Sequence, residues 1–215
     1  MSKVEAVIFD ADGTLFDTFE LIVSAYEHVA VTHGLRIPTP DEVRDQLGKA
    51  LPDIFQHFYP NEDIQTLLDT NNAFVAANTM KSAAFAGVKD LLSGLARQGI
   101  QLGILTSGSA KVHDVLRHHQ LDQFFTSVVH HERIKKPKPD PEGYWLACVE
   151  CGVPPENGVM VGDTTFDIET GQNAGALTTI AVTHGFGLPE DLAKAQPGYI
   201  AHDIFEVDKI ITTLL

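Results

Sequence analysis

The chain of 215 residues is long enough for one core domain with a modest insertion, and 44% hydrophobic against 20% charged residues excludes a disordered or fibrous protein. With 15 Lys and Arg against 29 Asp and Glu, the formal charge of −14 repels nucleic-acid backbones and anionic membrane surfaces, so neither is an expected partner. An acidic protein that handles a phosphorylated ligand then needs local positive charge, from a metal ion or a placed lysine.

Residues 4–9, apolar at every position but Glu5, show the pattern of a strand buried in a parallel sheet. That run reaches Asp10 with neither a signal-peptide core nor a cleavage site, and no later apolar stretch approaches a membrane span, so a cytoplasmic protein is expected. Over residues 17–82 the pattern is helical. Leu21, Val23, Ala25, Tyr26 and Val29 lead into helical segments at 41–47, 51–58 and 64–77, punctuated by Pro38, Pro40, Pro52 and Pro60. Because no strand intervenes, these residues are expected to form a small α-helical cap inserted after the first strand, the core comprising 1–16 and 83–215. Beyond the cap, buried-strand runs at 101–105, 127–129, 158–161 and 177–182 alternate with helical segments at 88–97, 110–119, 141–151 and 167–174. Such alternation predicts an α/β fold, a doubly wound parallel sheet covered on both faces. Cys148 and Cys151 fall three apart in one helical segment, without partners at zinc-ligand spacing, and are expected as packed thiols.

In open α/β sheets ligands bind beyond the carboxyl ends of the strands. The first strand ends in Asp10-Ala11-Asp12-Gly13-Thr14, the second in Thr106-Ser107-Gly108 and the fourth in Gly162-Asp163-Thr164-Thr165-Phe166-Asp167; Lys135-Lys136-Pro137-Lys138-Pro139 follows the third. Asp10, Asp12 and Asp163 would bring three carboxylates to one edge, a repulsive arrangement that a hard divalent cation resolves; oxygen ligands favour Mg2+ over zinc. Thr106 and Ser107 precede a helix start, where a phosphate is well held, although a simple helix cap is the plainer use of such a pair. Lys136, fixed beside Pro137, is the expected counter-charge to a phosphoryl group, its alternative being an ordinary solvated lysine. His118-His119 and His130-His131 are adjacent pairs whose side chains diverge in helix or strand, making poor joint metal sites.

These four segments, in this order, resemble the four motifs of the haloacid dehalogenase superfamily. The helical insertion resembles that family's first cap type, and the subgroup most like it is the phosphoglycolate phosphatase-like one. The resemblance implies a phosphoric monoester hydrolase in which Asp10 attacks phosphorus and carries the phosphoryl group. It implies that Asp12 protonates the leaving oxygen and then activates water, and that Asp10, the Asp12 carbonyl and Asp163 hold Mg2+, with Asp167 behind them. Thr106, Ser107 and Lys136 are implied as phosphate-binding groups. Hinges are expected at residues 16–18 and 81–84, and Lys49, beside Gly48 in the cap, is a candidate contact for a substrate carboxylate. The implied partner is a small anionic phosphorylated metabolite; no feature specifies an oligomeric state.

Asp12 argues against the superfamily's dehalogenases, since halide leaves without a proton. A β-phosphoglucomutase-type phosphomutase shares all four motifs, yet its relatives carry a cap histidine where this chain has Ile22. Inorganic pyrophosphatase activity stays open on the same scaffold. A phospho-receiver would place its acidic pair and phosphorylated Asp differently and would lack the insertion; a non-catalytic binding protein would not need the full set of reactive side chains.

Overall fold

A computed structural model describes residues 4–78 and 82–215. Its main sheet is parallel throughout and is built around β1 (Ala6–Phe9), whose four residues are all buried. Alternate side chains of a strand point to opposite faces. Val7 and Phe9 accordingly join the core on one face, and Ala6 and Ile8 the core on the other, which is why the run is apolar without alternation. The strand order is β5 (Ser127–Val129), β4 (Gln101–Leu105), β1, β6 (Gly158–Gly162), β7 (Thr178–Val182) and β8 (Tyr199–Ala201).

One face is covered by α5 (Val88–Arg97), α6 (Val112–His118) and α10 (Ile204–Leu214), which contribute Leu92, Leu95, Leu116, Val207 and Ile211 to the larger core. The other face carries α7 (Glu142–Cys151), which buries Tyr144, Ala147 and Cys148 against Ile8 and Met160, beside α8 (Thr165–Ala174). Cys148 and Cys151 are free buried thiols in that layer. A further short helix, α9 (Pro189–Lys194), buries Leu192 against Ile168 of α8. The doubly wound sheet agrees with the sequence expectation. The edge strand β8 and the helix that follows it do not announce themselves there: β8 has three residues, of which Tyr199 and Ile200 are exposed.

Between β2 (Phe16–Asp17) and β3 (Ala83–Ala84) lie α1 (Phe19–His33), α2 (Pro40–Arg44), α3 (Leu51–Phe58) and α4 (Ile64–Asn78). They pack around a core of their own, with Tyr26, Val29, Val43, Ile54, Phe55 and Leu67 buried and the Tyr26 ring stacked on Phe55 at 4.9 Å. Helix α2 starts at a capping box in which Thr39 and Glu42 satisfy each other's backbone N–H groups, with Pro40 at the first helical position. It ends at Arg44, earlier than the helical pattern suggests, because the chain turns through residues 45–48 to Gly48, whose φ is +94°. Helix-forming side chains cannot continue through that left-handed position without strain. The strands β2 and β3 pair antiparallel, Phe16 opposite Ala84 and Asp17 opposite Ala83, so the chain enters and leaves the cap side by side. Of the expected hinge at 81–84, Lys81 lies outside the described residues. Among the described residues, no helix is long and apolar enough to cross a membrane.

Candidate active site

The register of the three central strands, with Phe9 beside both Ile104 and Val161, brings the residues that follow them to one edge. Asp10 leaves β1 with its N–H donating to the Val161 carbonyl at 2.8 Å and is only 5% exposed. The chain then folds back on itself: the Ala11 carbonyl accepts from the N–H groups of Leu15 and Phe16, and Gly13 occupies φ +81°. A side chain at Gly13 would run into the Asp163 carboxylate, so the turn admits glycine on both grounds.

Asp163, fully buried after β6, is fixed from two sides. Its Oδ1 accepts from the Thr14 hydroxyl at 2.9 Å and its Oδ2 from the Phe186 N–H at 2.7 Å. Asp167, in the first turn of α8, accepts from the Thr164 N–H at 2.9 Å and the Thr164 hydroxyl at 2.7 Å through Oδ2, while Oδ1 accepts from Lys138 Nζ at 2.6 Å. Lys138 also donates to Asp10 Oδ1 at 3.0 Å and is 5% exposed.

This is where the structure departs from the expectation for Lys136. That side chain is 70% exposed, its ammonium 3.4 Å from Asp140 on the surface. The cause lies in the backbone: the N–H groups of Lys135 and Lys136 both donate to the Glu142 carboxylate at 3.1 Å, which ties that part of the segment outside the first turn of α7. Lys138, two residues on, is the one that turns inward. Both lysines are flanked by proline in the same motif, so the signal for Lys138 was present but indistinguishable from that for Lys136.

Thr106, at the end of β4 and 2% exposed, accepts from the Gly108 N–H at 3.0 Å. Ser107 reaches the cap, its hydroxyl donating to the Gly48 carbonyl at 2.8 Å. Gly48 sits so close to the core that a Cβ there would be 2.6 Å from Phe166 Cδ2 and 3.0 Å from Thr164 Oγ1. A second tie runs from the Ser109 hydroxyl to Asn72 Oδ1 of α4 at 3.3 Å. Between cap and core lies a cavity of about 140 Å³ whose walls include Asp10, Asp12, Thr106, Ser107, Lys138 and Lys49. The Lys49 ammonium donates to Gln46 Oε1 at 2.8 Å. His184, two residues beyond the end of β7, donates from Nε2 to the Thr14 carbonyl at 3.1 Å and so braces the Asp10 turn.

Carboxylate oxygens of Asp10, Asp163 and Asp167 lie within 4.8 Å of one another, all three residues buried. Against them stands the single ammonium of Lys138, which burial alone would lower but which Asp10 and Asp167 hold above the ordinary lysine range. Burial pushes Asp10 well above the usual carboxylate range despite Lys138, with Asp167, Asp163 and Asp12 acting in the same direction. Asp163 is pushed up to about 7, first by burial and then by Asp167. An excess of buried negative charge held by hard oxygen donors fits a divalent cation, whose charge would restore the ionised forms. Asp12 lies outside that carboxylate trio; burial raises it, opposed by the neighbouring Thr18 hydroxyl and by Lys138. A carboxyl group held at such a site is a candidate to give and take a proton.

A sequence profile of haloacid dehalogenase-like hydrolases matches residues 7–182. A curated relative named pyrophosphatase PpaX, from Listeria monocytogenes serotype 4a, is 30% identical over 97% of both chains. Among solved structures, a predicted phosphatase from Clostridium acetobutylicum superposes with a TM-score of 0.86 at 25% identity, covering 99% of this chain and 100% of the other. A predicted phosphoglycolate phosphatase from Haemophilus somnus 129PT shares the fold, with a TM-score of 0.89 at 21% identity over 98% of this chain and 99% of its own.

Proposed function

This chain belongs to the haloacid dehalogenase superfamily and is a phosphoric-ester hydrolase within it, and we propose that it is a Mg2+-dependent phosphatase of small phosphate monoesters that carries the phosphoryl group on Asp10. The observation that carries this reading is the pairing of buried Asp10 with Lys138 at the base of a cavity that Asp12 also lines. In the first step an Asp10 carboxylate oxygen forms a bond to phosphorus as the ester P–O bond breaks, and the departing alcohol oxygen takes the proton of Asp12. In the second, Asp12 takes a proton from water as the water oxygen attacks phosphorus, which releases phosphate and regenerates the Asp10 carboxylate. Splitting displacement in two suits a carboxylate nucleophile, and a positioned acid–base group contributes about 10²- to 10⁴-fold.

Lys138, the Thr106 hydroxyl and the Ser107 N–H are the groups that face the phosphoryl oxygens in this reading, as fixed donors that need no reorganisation during transfer. Asp10, the Asp12 carbonyl and Asp163 would hold Mg2+, with Asp167 orienting Lys138 from behind. When bound, the cation would screen the nucleophile from the phosphoryl oxygens and stabilise charge developing on them. Ile22 lines the cavity at the position where mutase-type relatives carry a histidine, which supports water, rather than a second sugar hydroxyl, as acceptor.

The test is phosphate release from p-nitrophenyl phosphate, 2-phosphoglycolate, pyrophosphate and sugar phosphates, with Mg2+ and after chelation, beside Asp10→Asn. Mg2+-dependent release abolished by the substitution is expected. Release that survives in Asp10→Asn, or folded wild-type protein that turns over none of these compounds, would overturn the reading.

A further inference from the structure

The adjacent pair His130-His131 has no part in the chemistry above, yet the fold carries it to the loop that holds Thr106 and Ser107. Strands β4 and β5 run parallel with Leu105 beside Val129, and the Thr106 N–H donates to the Val129 carbonyl at 2.9 Å, so the residues that follow the two strands leave the sheet together. One turn of 3-10 helix, His131–Arg133, then lies against the segment 106–110. Backbone and side chain of His131 both engage Gly108: the His131 N–H donates to the Gly108 carbonyl at 3.1 Å, and Nδ1 of the ring lies 2.8 Å from the same oxygen. A carbonyl only accepts, so that ring nitrogen bears the hydrogen. Two residues further along the loop, the Ala110 N–H donates to Glu132 Oε2 at 3.0 Å.

Gly108 is a sensitive point to hold. Its N–H donates to the Thr106 hydroxyl at 3.0 Å, and a Cβ built on it would stand 3.2 Å from Thr106 Oγ1 and 3.5 Å from Asp12 Oδ2. Because the peptide group is planar, fixing the Gly108 carbonyl fixes the backbone there. The same loop is tied to the cap by the hydroxyls of Ser107 and Ser109, and the turn at His131 anchors it to the core. We propose that His131 is a positioning residue: through the Gly108 carbonyl its ring sets the loop so that the Thr106 hydroxyl and the Ser107 N–H meet the phosphoryl oxygens beside Asp12. This rests on the phosphatase reading above and adds to it a residue that does not itself line the cavity. Groups that present a reacting centre depend on such support, since a misplacement of about 1 Å can cost about 10²-fold in rate.

Three variants separate positioning from bulk stability. His131→Leu removes the ring donor, His131→Asn returns an N–H at the branch point that Nδ1 occupies, and His131→Gln carries its N–H one atom further out, where Nε2 stands. For each, kcat/KM with p-nitrophenyl phosphate and Mg2+, the competitive inhibition constant of inorganic phosphate, and Tm are measured. His131→Leu is expected to lower kcat/KM by about tenfold or more and to raise the inhibition constant by about fivefold or more, His131→Asn to stay within about threefold of wild type in both, and His131→Gln to follow the leucine variant. An inhibition constant does not depend on how much of a preparation is folded, so a purely structural role leaves it at the wild-type value, and that result overturns the proposal. Asparagine no better than glutamine overturns it as well, and this comparison decides alone if the leucine variant does not fold. In either case wild-type turnover leaves the phosphatase reading intact. Folded wild-type protein that releases no phosphate from p-nitrophenyl phosphate overturns both.

Discussion

Replacing Lys138 by methionine keeps the length of the side chain and removes its charge, and the structure allows the result to be worked out. The ammonium donates to Asp10 at 3.0 Å and to Asp167 at 2.6 Å from a side chain that is 2% exposed. Its loss leaves two buried carboxylates without their cation. Removing one partner of a buried ion pair costs about 3–5 kcal/mol, and for a chain of this size each kcal/mol lowers Tm by about 2–4 °C, so a fall of about 6–20 °C is expected. The penalty in metal-free buffer should be greater at pH 8 than at pH 6. Asp10 is already raised by burial, and without Lys138 it rises further; protonation on the acid side then relieves the repulsion. Activity should fall by about 10²- to 10³-fold, the loss expected for one donor to a transferring phosphoryl group. Lys136→Met is the control. Its exposed pair with Asp140 is worth about 0–1 kcal/mol, and both activity and Tm should stay close to wild type. Circular dichroism melts and Mg2+-dependent phosphate release, measured at low temperature where both variants are folded, decide the matter. A silent Lys138→Met beside an inactive Lys136→Met would refute the assignment.

Asp10→Asn should lower phosphate release by at least about 10³-fold, yet leave Tm unchanged or higher in metal-free buffer at pH 8, because burial disfavours the ionised carboxylate it replaces; a clear drop in Tm would contradict that electrostatic account. Gly48→Ala puts a Cβ 2.6 Å from Phe166 Cδ2 at φ +94°. Overpacking of this kind costs about 1–3 kcal/mol, so kcat/KM should fall about tenfold through poorer docking of the cap, and unchanged kinetics would show that the contact is dispensable. Ser107→Ala keeps the backbone N–H but deletes the hydrogen bond to the Gly48 carbonyl, worth about 0.5–1.5 kcal/mol; kcat/KM is expected two- to tenfold lower, which steady-state assays resolve. His119, whose Nε2 donates to the Ser82 carbonyl, is lowered first by burial and then by His118. Its stabilising share is therefore complete above the unfolded imidazole value of about 6.5 and is lost as pH falls below it. Thermal melts at pH 7.5 and 5.5 should show a smaller acid-induced loss in His119→Gln than in wild type.

The positions of Asp10, Thr106 and Asp163 were legible because each follows a short apolar strand, and neighbouring parallel strands in register carry such residues to one edge. The choice between Lys136 and Lys138 was not, since it depends on Glu142 capturing two backbone N–H groups, a contact that composition does not encode. Nor could the residues that hold Asp163 be read locally. Thr14 is 149 positions away and the Phe186 N–H 23, and neither is marked by its own surroundings. The shortened α2 follows from the left-handed φ of Gly48, while β8 is not legible because an edge strand with two exposed positions lacks the continuous apolar run of its neighbours.

The ribbon of β2 and β3 makes the helical insertion a cassette. Its two ends emerge from facing residues, Asp17 and Ala83, and its interior is filled by its own side chains. A two-residue Asn-Gly turn suffices to join adjacent antiparallel strands, so residues 18–82 could be excised and the gap closed without stretching the sheet that holds Asp10. Equally, a different helical unit with closely spaced ends could be spliced in at the same two residues. Asp10 and Lys138 would then become a fixed chassis on which the helical unit is exchanged as a module.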